Sequence, residues 1–182
     1  MNISSILLKL AGWRLHITTP DFPRSIICVA PHTSNWDFII GKLAYSAVNR
    51  KAGFLMKSSW FFFPLGYIFK AIGGIPVYRK VKHGSLVEQL IAKFRGSERL
   101  NIAITPEGTR KKTTHWHTGF LRIAYEANVP IQLGVLDYKT KTVDISEVFI
   151  STGDTERDLK LIKKFYTPYE GKYPDKFTTE DE

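Results

Sequence analysis

Apolar positions along this chain recur with two different periods. Ile3, Ile6, Leu7, Leu10 and Trp13 are spaced by three and four, which predicts an amphipathic helix within residues 1–17. SIICVA (25–30) is instead a short continuous apolar run rich in β-branched residues and halted by Pro31, the mark of a buried strand. Trp36, Ile39, Ile40, Leu43 and Ala47 then return to helical spacing over residues 35–48. The same reading predicts strands at 53–57, 74–79, 100–105, 129–136 and 142–148. It predicts helices within the aromatic stretch 58–69 and at 85–94, 117–127 and 155–166. Strands alternating with helices define an α/β fold, a mixed and largely parallel sheet flanked by helices. Ligands of such sheets gather where strands end at their carboxyl side.

No repeat, linker or low-complexity tract divides the 182 residues, so a single domain is expected, with a frayed tail over residues 170–182. The most apolar stretch, SSWFFFPLGYIF, is far shorter than the roughly 20 residues that span a bilayer, so no transmembrane helix is expected. No basic residue precedes the N-terminal apolar run and Lys9 interrupts it, which argues against a secretory signal. A formal charge of +9 points to an anionic partner, lipid surface or nucleic acid, without choosing between them. One cysteine rules out an internal disulfide.

The chemistry gathers at strand ends. In PHTSNWD, His32 and Asp37 are five residues apart, which in a straight helix would turn them by about 500° onto different faces. They meet only if His32 lies in the loop before the helix and Asp37 in its first turn. Two readings follow. Ser34 and Asp37 form a capping box, or Asp37 orients a basic imidazole. The second cluster is TPEGTR: Gly108 permits a tight turn, and Arg110 offers a planar fork to phosphate or carboxylate. Lys57 and Arg79 close two further strands. Cys28 reads as a buried, inert thiol, and His115 and His117 lack the carboxylate or thiol spacing of a zinc site.

Together these pieces resemble the glycerolipid acyltransferase family, typified by the 1-acyl-glycerol-3-phosphate (lysophosphatidic acid) acyltransferases. HTSNWD matches its His-x-x-x-x-Asp motif, FLMKSSWFFFPLGYIFKAIGGIPVYR its second block, PEGTR its third and VPIQLGV a fourth, in order over a motif-bearing core at about 25–136. Pro31 stands where the family usually has asparagine, and Lys111 with Lys112 where a serine often follows the arginine. The resemblance implies transfer of a fatty acyl group from an acyl-CoA or acyl-carrier-protein thioester to a lysophospholipid hydroxyl, as in phospholipid biosynthesis. It implies His32 as general base, Asp37 as its orienting partner, and Glu107, Gly108, Thr109 and Arg110 around the acceptor. Lys57 and Arg79 would hold the acceptor phosphate. No cofactor or metal is implied, and the expected place is the cytoplasmic face of an anionic membrane, bound peripherally. The rival readings are a non-catalytic basic module on lipid or RNA and an acyl-thioester hydrolase.

Overall fold

The computed structural model describes residues 2–77 and 85–180. Helix α1 (Ile3–Leu10) is followed by strand β1 (Arg14–Ile17), then β2 (Arg24–Ala30), α2 (Asn35–Ala47), β3 (Gly53–Lys57), α3 (Leu65–Ala71) and β4 (Gly74–Val77). After residue 84 come α4 (Leu86–Arg95), β5 (Leu100–Ile104), α5 (Gly119–Ala127), β6 (Ile131–Asp137), β7 (Thr142–Phe149) and α6 (Thr155–Tyr166). The strands form one sheet in the order β1-β7-β6-β2-β5-β3-β4. β2 pairs in parallel with β5 and β6, and β3 with β4 and β5. β7 runs antiparallel to β6, and β1 is parallel to β7. The sheet is therefore mixed and mostly parallel, as the alternation of elements predicted.

β2 is central and buried on both faces. Its Ile26, Cys28 and Ala30 point into a large core with Phe94, Trp116, Phe120 and Tyr166 from the α4, α5 and α6 side. Ile27 and Val29 face the opposite layer, where Leu8 of α1 and Ile40 and Ala44 of α2 meet Leu136 and Val143. A continuous apolar run is what a strand covered on both faces requires.

Two expectations change. The amphipathic helix expected within 1–17 stops at Leu10, because Gly12 takes φ +79° and turns the chain into β1. Leu15 and Ile17 then pack inward while Arg14 and His16 point out, a period of two. The tail expected to fray is held. Glu170 O accepts from Tyr138 N–H at 2.9 Å, Tyr173 N–H donates to Thr33 Oγ1 at 3.2 Å, and Phe177 packs on the main core. The aromatic stretch 58–69 is a single 3₁₀ turn (Ser58–Trp60) leading to α3.

Candidate functional site

β2 delivers its carboxyl end to Pro31 and His32, and the chain then enters α2. Ser34 caps that helix, its Oγ accepting from Trp36 N–H at 3.2 Å. Asp37, third in the helix, turns back toward its start, and Oδ2 accepts from the N–H groups of Thr33 and Ser34, each at 2.8 Å. The same oxygen lies 3.1 Å from His32 Nδ1. The cap and the imidazole partner, two competing readings of the sequence, are thus one carboxylate. Capping fixes Asp37, and the fixed Asp37 fixes the ring. With Nδ1–H donated to Asp37, the lone pair sits on Nε2.

Asp37 is almost inaccessible, 1% exposed in its side chain, against 18% for His32. Burial alone would raise its carboxyl. The hydrogen bonds from the His32 ring, the Tyr138 hydroxyl and the Ser34 backbone outweigh that and hold it below the ordinary value. Tyr138 OH donates to Asp37 Oδ1 at 2.6 Å. Burial and the neighbouring carboxylate push its phenol upward, so it stays a protonated donor. No motif in the sequence singles out Tyr138. The signal was available: it too follows the carboxyl end of a parallel strand, β6.

Glu107 takes a different place from the one expected. It is 3% exposed and does not open toward an acceptor; its Oε1 accepts from His32 N–H at 2.8 Å. The Asp37 carboxylate therefore grips the ring, and the Glu107 carboxyl group grips the main chain of the same residue. Burial pushes the Glu107 carboxyl up to about 8, with Asp37 adding to the rise and the His32 amide opposing it. Gly108 turns at φ +63°, with His117 packed so closely that a Cβ would lie 2.5 Å from its Cδ2. Thr109 is half-buried, and its Oγ1 accepts from Lys111 N–H. Arg110 is exposed and donates to Asn35 Oδ1 in the first turn of α2.

Lys57 ends β3 with an exposed side chain beside the same opening. Arg79 lies outside the described residues. Cys28 is fully buried, and burial pushes its thiol to about 12, so it is no nucleophile. The His115 and His117 rings meet edge to face at 5.5 Å. Among the described residues no three His, Cys, Asp or Glu side chains form a metal-binding group.

From His32 a groove of about 1360 Å³ runs along α2 and the sheet and reaches the start of α4 at Ser85, Leu86 and Glu88. Its walls are apolar at Val29, Phe38, Leu55 and Leu136, and Gly41 and Tyr45 line it further along α2. A half-buried imidazole, oriented by a buried carboxylate at the mouth of a long apolar groove, has the geometry that proton removal from a hydroxyl beside an aliphatic chain would require.

The Acyltransferase family model matches residues 15–132, more than half of the chain, and the protein belongs to that family. Among solved structures the chain is similar to the 1-acyl-sn-glycerophosphate (LPA) acyltransferase PlsC from Thermotoga maritima. The TM-score is 0.60 at 18% identity, covering 89% of this chain and 73% of that one. No curated protein sequence matches it.

Proposed function

We propose that the protein is an O-acyltransferase that moves a fatty acyl group from an acyl-CoA or acyl-carrier-protein thioester to a lysophospholipid hydroxyl. The acceptor of choice is 1-acyl-glycerol-3-phosphate. One observation carries the reading: the His32–Asp37 pair, at 3.1 Å, opens onto the apolar groove. His32 Nε2 takes the proton of the acceptor hydroxyl as its oxygen attacks the thioester carbonyl. Asp37 stabilises the resulting imidazolium, and Tyr138 and the Thr33 and Ser34 amides keep Asp37 ionised. The tetrahedral intermediate collapses by breaking the carbon–sulfur bond, and the thiolate recovers the proton from His32. No acyl-enzyme is required, since a thiolate leaves readily.

The groove takes the acyl chain, and Lys57, Arg79 and Arg110 take the acceptor phosphate beside the Gly108 turn and Thr109. Glu107 acts indirectly, by fixing the His32 backbone. Peripheral membrane attachment fits the exposed apolar side chains Ile3 and Leu10 of α1 and Phe63 and Tyr67 around α3. Among the described residues no helix is long and apolar enough to cross a membrane.

The deciding assay supplies an acyl thioester with lysophosphatidate or with a monoacylglycerol of the same chain. Phosphatidate formed in preference to diacylglycerol supports the reading. Preference for the neutral lipid removes the phosphate assignment. Free fatty acid as the sole product makes the protein a hydrolase, and no turnover with tight RNA binding makes it a basic binding module.

A further inference from the structure

The proposed reaction brings two substrates to one imidazole, and the strand order gives that imidazole two unlike flanks. On one side of β2, β5 and then β3 supply Arg110 and Lys57, assigned above to the acceptor. On the other side lie β6 and β7, and the chain after α6 is laid over their connection. Tyr138 N–H donates to Glu170 O at 2.9 Å, and Glu170 N–H to Asp137 Oδ1 at 3.3 Å. Tyr173 N–H then reaches Thr33 Oγ1, next to His32, at 3.2 Å. A Cβ on Gly171 would stand 2.7 Å from Thr33 Oγ1, so the tail lies directly against the histidine segment.

This path sets two cations beside the first turn of α2, the turn that carries Asp37. Lys172 Nζ lies 5.3 Å from the Trp36 ring centre and 5.9 Å from that of Tyr173, while Lys176 Nζ lies 4.4 Å from Tyr173. Both rings are open to solvent, 54% exposed for Trp36 and 45% for Tyr173. Among the described residues neither ammonium has a carboxylate partner, whereas Lys139 nearby is paired with Glu170. Contact with the rings restrains both side chains without neutralising them. Two unneutralised ammoniums around one ring make an anion site, and the segment that carries them is tied to the β6–β7 connection rather than to the ends of β5 and β3.

We propose that Lys172 and Lys176, framed by Trp36 and Tyr173, bind the phosphate of the acyl donor, a thioester carried on phosphopantetheine. The pantetheine arm separates that phosphate from the sulfur by a long spacer, so its cations belong at the rim rather than at the reacting atoms. The acceptor phosphate, a few bonds from its hydroxyl, belongs on the inner flank. This inference rests on the acyl-transfer reading above.

The test uses the full chain and the double variant Lys172→Ala/Lys176→Ala, with exposed Lys160→Ala as a control of equal type. Steady-state rates are measured with acyl-CoA, with acyl-carrier protein and with an acyl-N-acetylcysteamine thioester, which has no phosphate. Binding of CoA alone is followed by titration calorimetry. The double variant should raise the donor KM, and the CoA Kd where CoA is the source, by roughly fivefold to twentyfold, the scale of two partly solvated ion contacts. The KM for acceptor should not move, and the deficit should vanish with the phosphate-free thioester. Lys172→Arg/Lys176→Arg should restore most of the affinity. A loss confined to one phosphorylated donor identifies the source. An unchanged KM with both phosphorylated donors, or an equal loss with the phosphate-free one, overturns the donor site. If the wild type turns over no thioester, the acyl-transfer reading fails. Lysine-dependent CoA binding would then still sustain the site, and absence of CoA binding would end it.

Discussion

The two faces of the central sheet are built to different ends, although β2 feeds both. On one face α4, α5 and α6 cover a core in which Phe94, Ile162 and Tyr166 are 0% exposed and Trp116 is 2% exposed. On the other, α1 and α2 bury a smaller cluster and leave open, along α2 and the strands, a groove that extends to the start of α4 and totals about 1360 Å³. Protein interiors are ordinarily close-packed, so the side chains lining a groove of that size, open to solvent along its length, forgo contacts on that side. One face holds the fold together, and the other gives up packing, which under the proposed function leaves room for the acyl chain. The site stands where they meet, at the end of the strand they share. If this division is right, substitutions on the two faces should fail in different ways.

The largest effect belongs to the groove face and should appear in rate. His32→Ala is expected to lower the transfer rate by roughly 10⁴, the upper range for a general base, with little change in thermal stability. Asp37→Asn should lower it by roughly 10²–10⁴ and also cost about 1 kcal/mol of stability, because the same oxygen caps α2. Thioester consumption and thermal unfolding of each variant, measured side by side, decide this. Near-normal rates in both variants would leave Asp37 a helix cap and nothing more. The packed face should behave inversely. Phe94→Ala removes a ring with no exposed surface and should cost about 3–5 kcal/mol, while kcat of the protein that remains folded stays close to wild type. A large fall in kcat without unfolding would show that the faces are coupled.

The parts legible in the sequence were those whose signal is local. β2 announces itself by a continuous apolar run and α2 and α6 by period, and His32 and Asp37 fall within six residues, with Pro31 before them ending the strand and Ser34 between them starting the helix. β1 was hidden because Trp13 continues the helical spacing while Gly12 ends the helix, and four residues of alternation are too few to compete. Glu107 was found, but not its partner, since nothing local to PEGTR says that its carboxylate meets the His32 amide across the boundary between β2 and β5. Tyr138 and the tail lie far along the chain and reach His32 only through strand order. Charge gave no warning for the tail either. Lys172 and Lys176 are two of 26 basic residues, and the folded path alone sets them apart.

Glu107 gives a smaller effect that sharpens the boundary between the faces. Its carboxyl rises from 4.5 to about 8 on folding, because burial penalises the charge. Between those values the native state binds more protons than the unfolded chain, so this residue makes stability fall as pH rises, by no more than about 1.4 kcal/mol per pH unit. Glu107→Gln keeps the acceptor oxygen for His32 N–H and removes the titration. Thermal unfolding from pH 5 to 8 should therefore decline more steeply in the wild type than in the variant. Parallel profiles would mean that Glu107 is ionised throughout and satisfied by more than the His32 amide.

The smallest effect tests the void itself. Gly41 lies inside α2 on the groove wall, and a Cβ built there meets nothing within 4 Å. A glycine inside a helix is destabilising by roughly 0.5–1 kcal/mol relative to alanine, so Gly41→Ala should stabilise the protein by about that amount. That gain is available only because the neighbouring space is empty. A helix retaining its weakest residue beside an empty wall is what a ligand channel would demand. Gly41→Phe should therefore be tolerated by the fold, yet turn the enzyme toward shorter acyl chains as the ring fills the groove. Competition between a short and a long acyl thioester reads this directly. If Gly41→Phe unfolds the protein, the wall is packed and the groove is not a standing feature. If it folds and treats both chains as the wild type does, the acyl chain lies elsewhere.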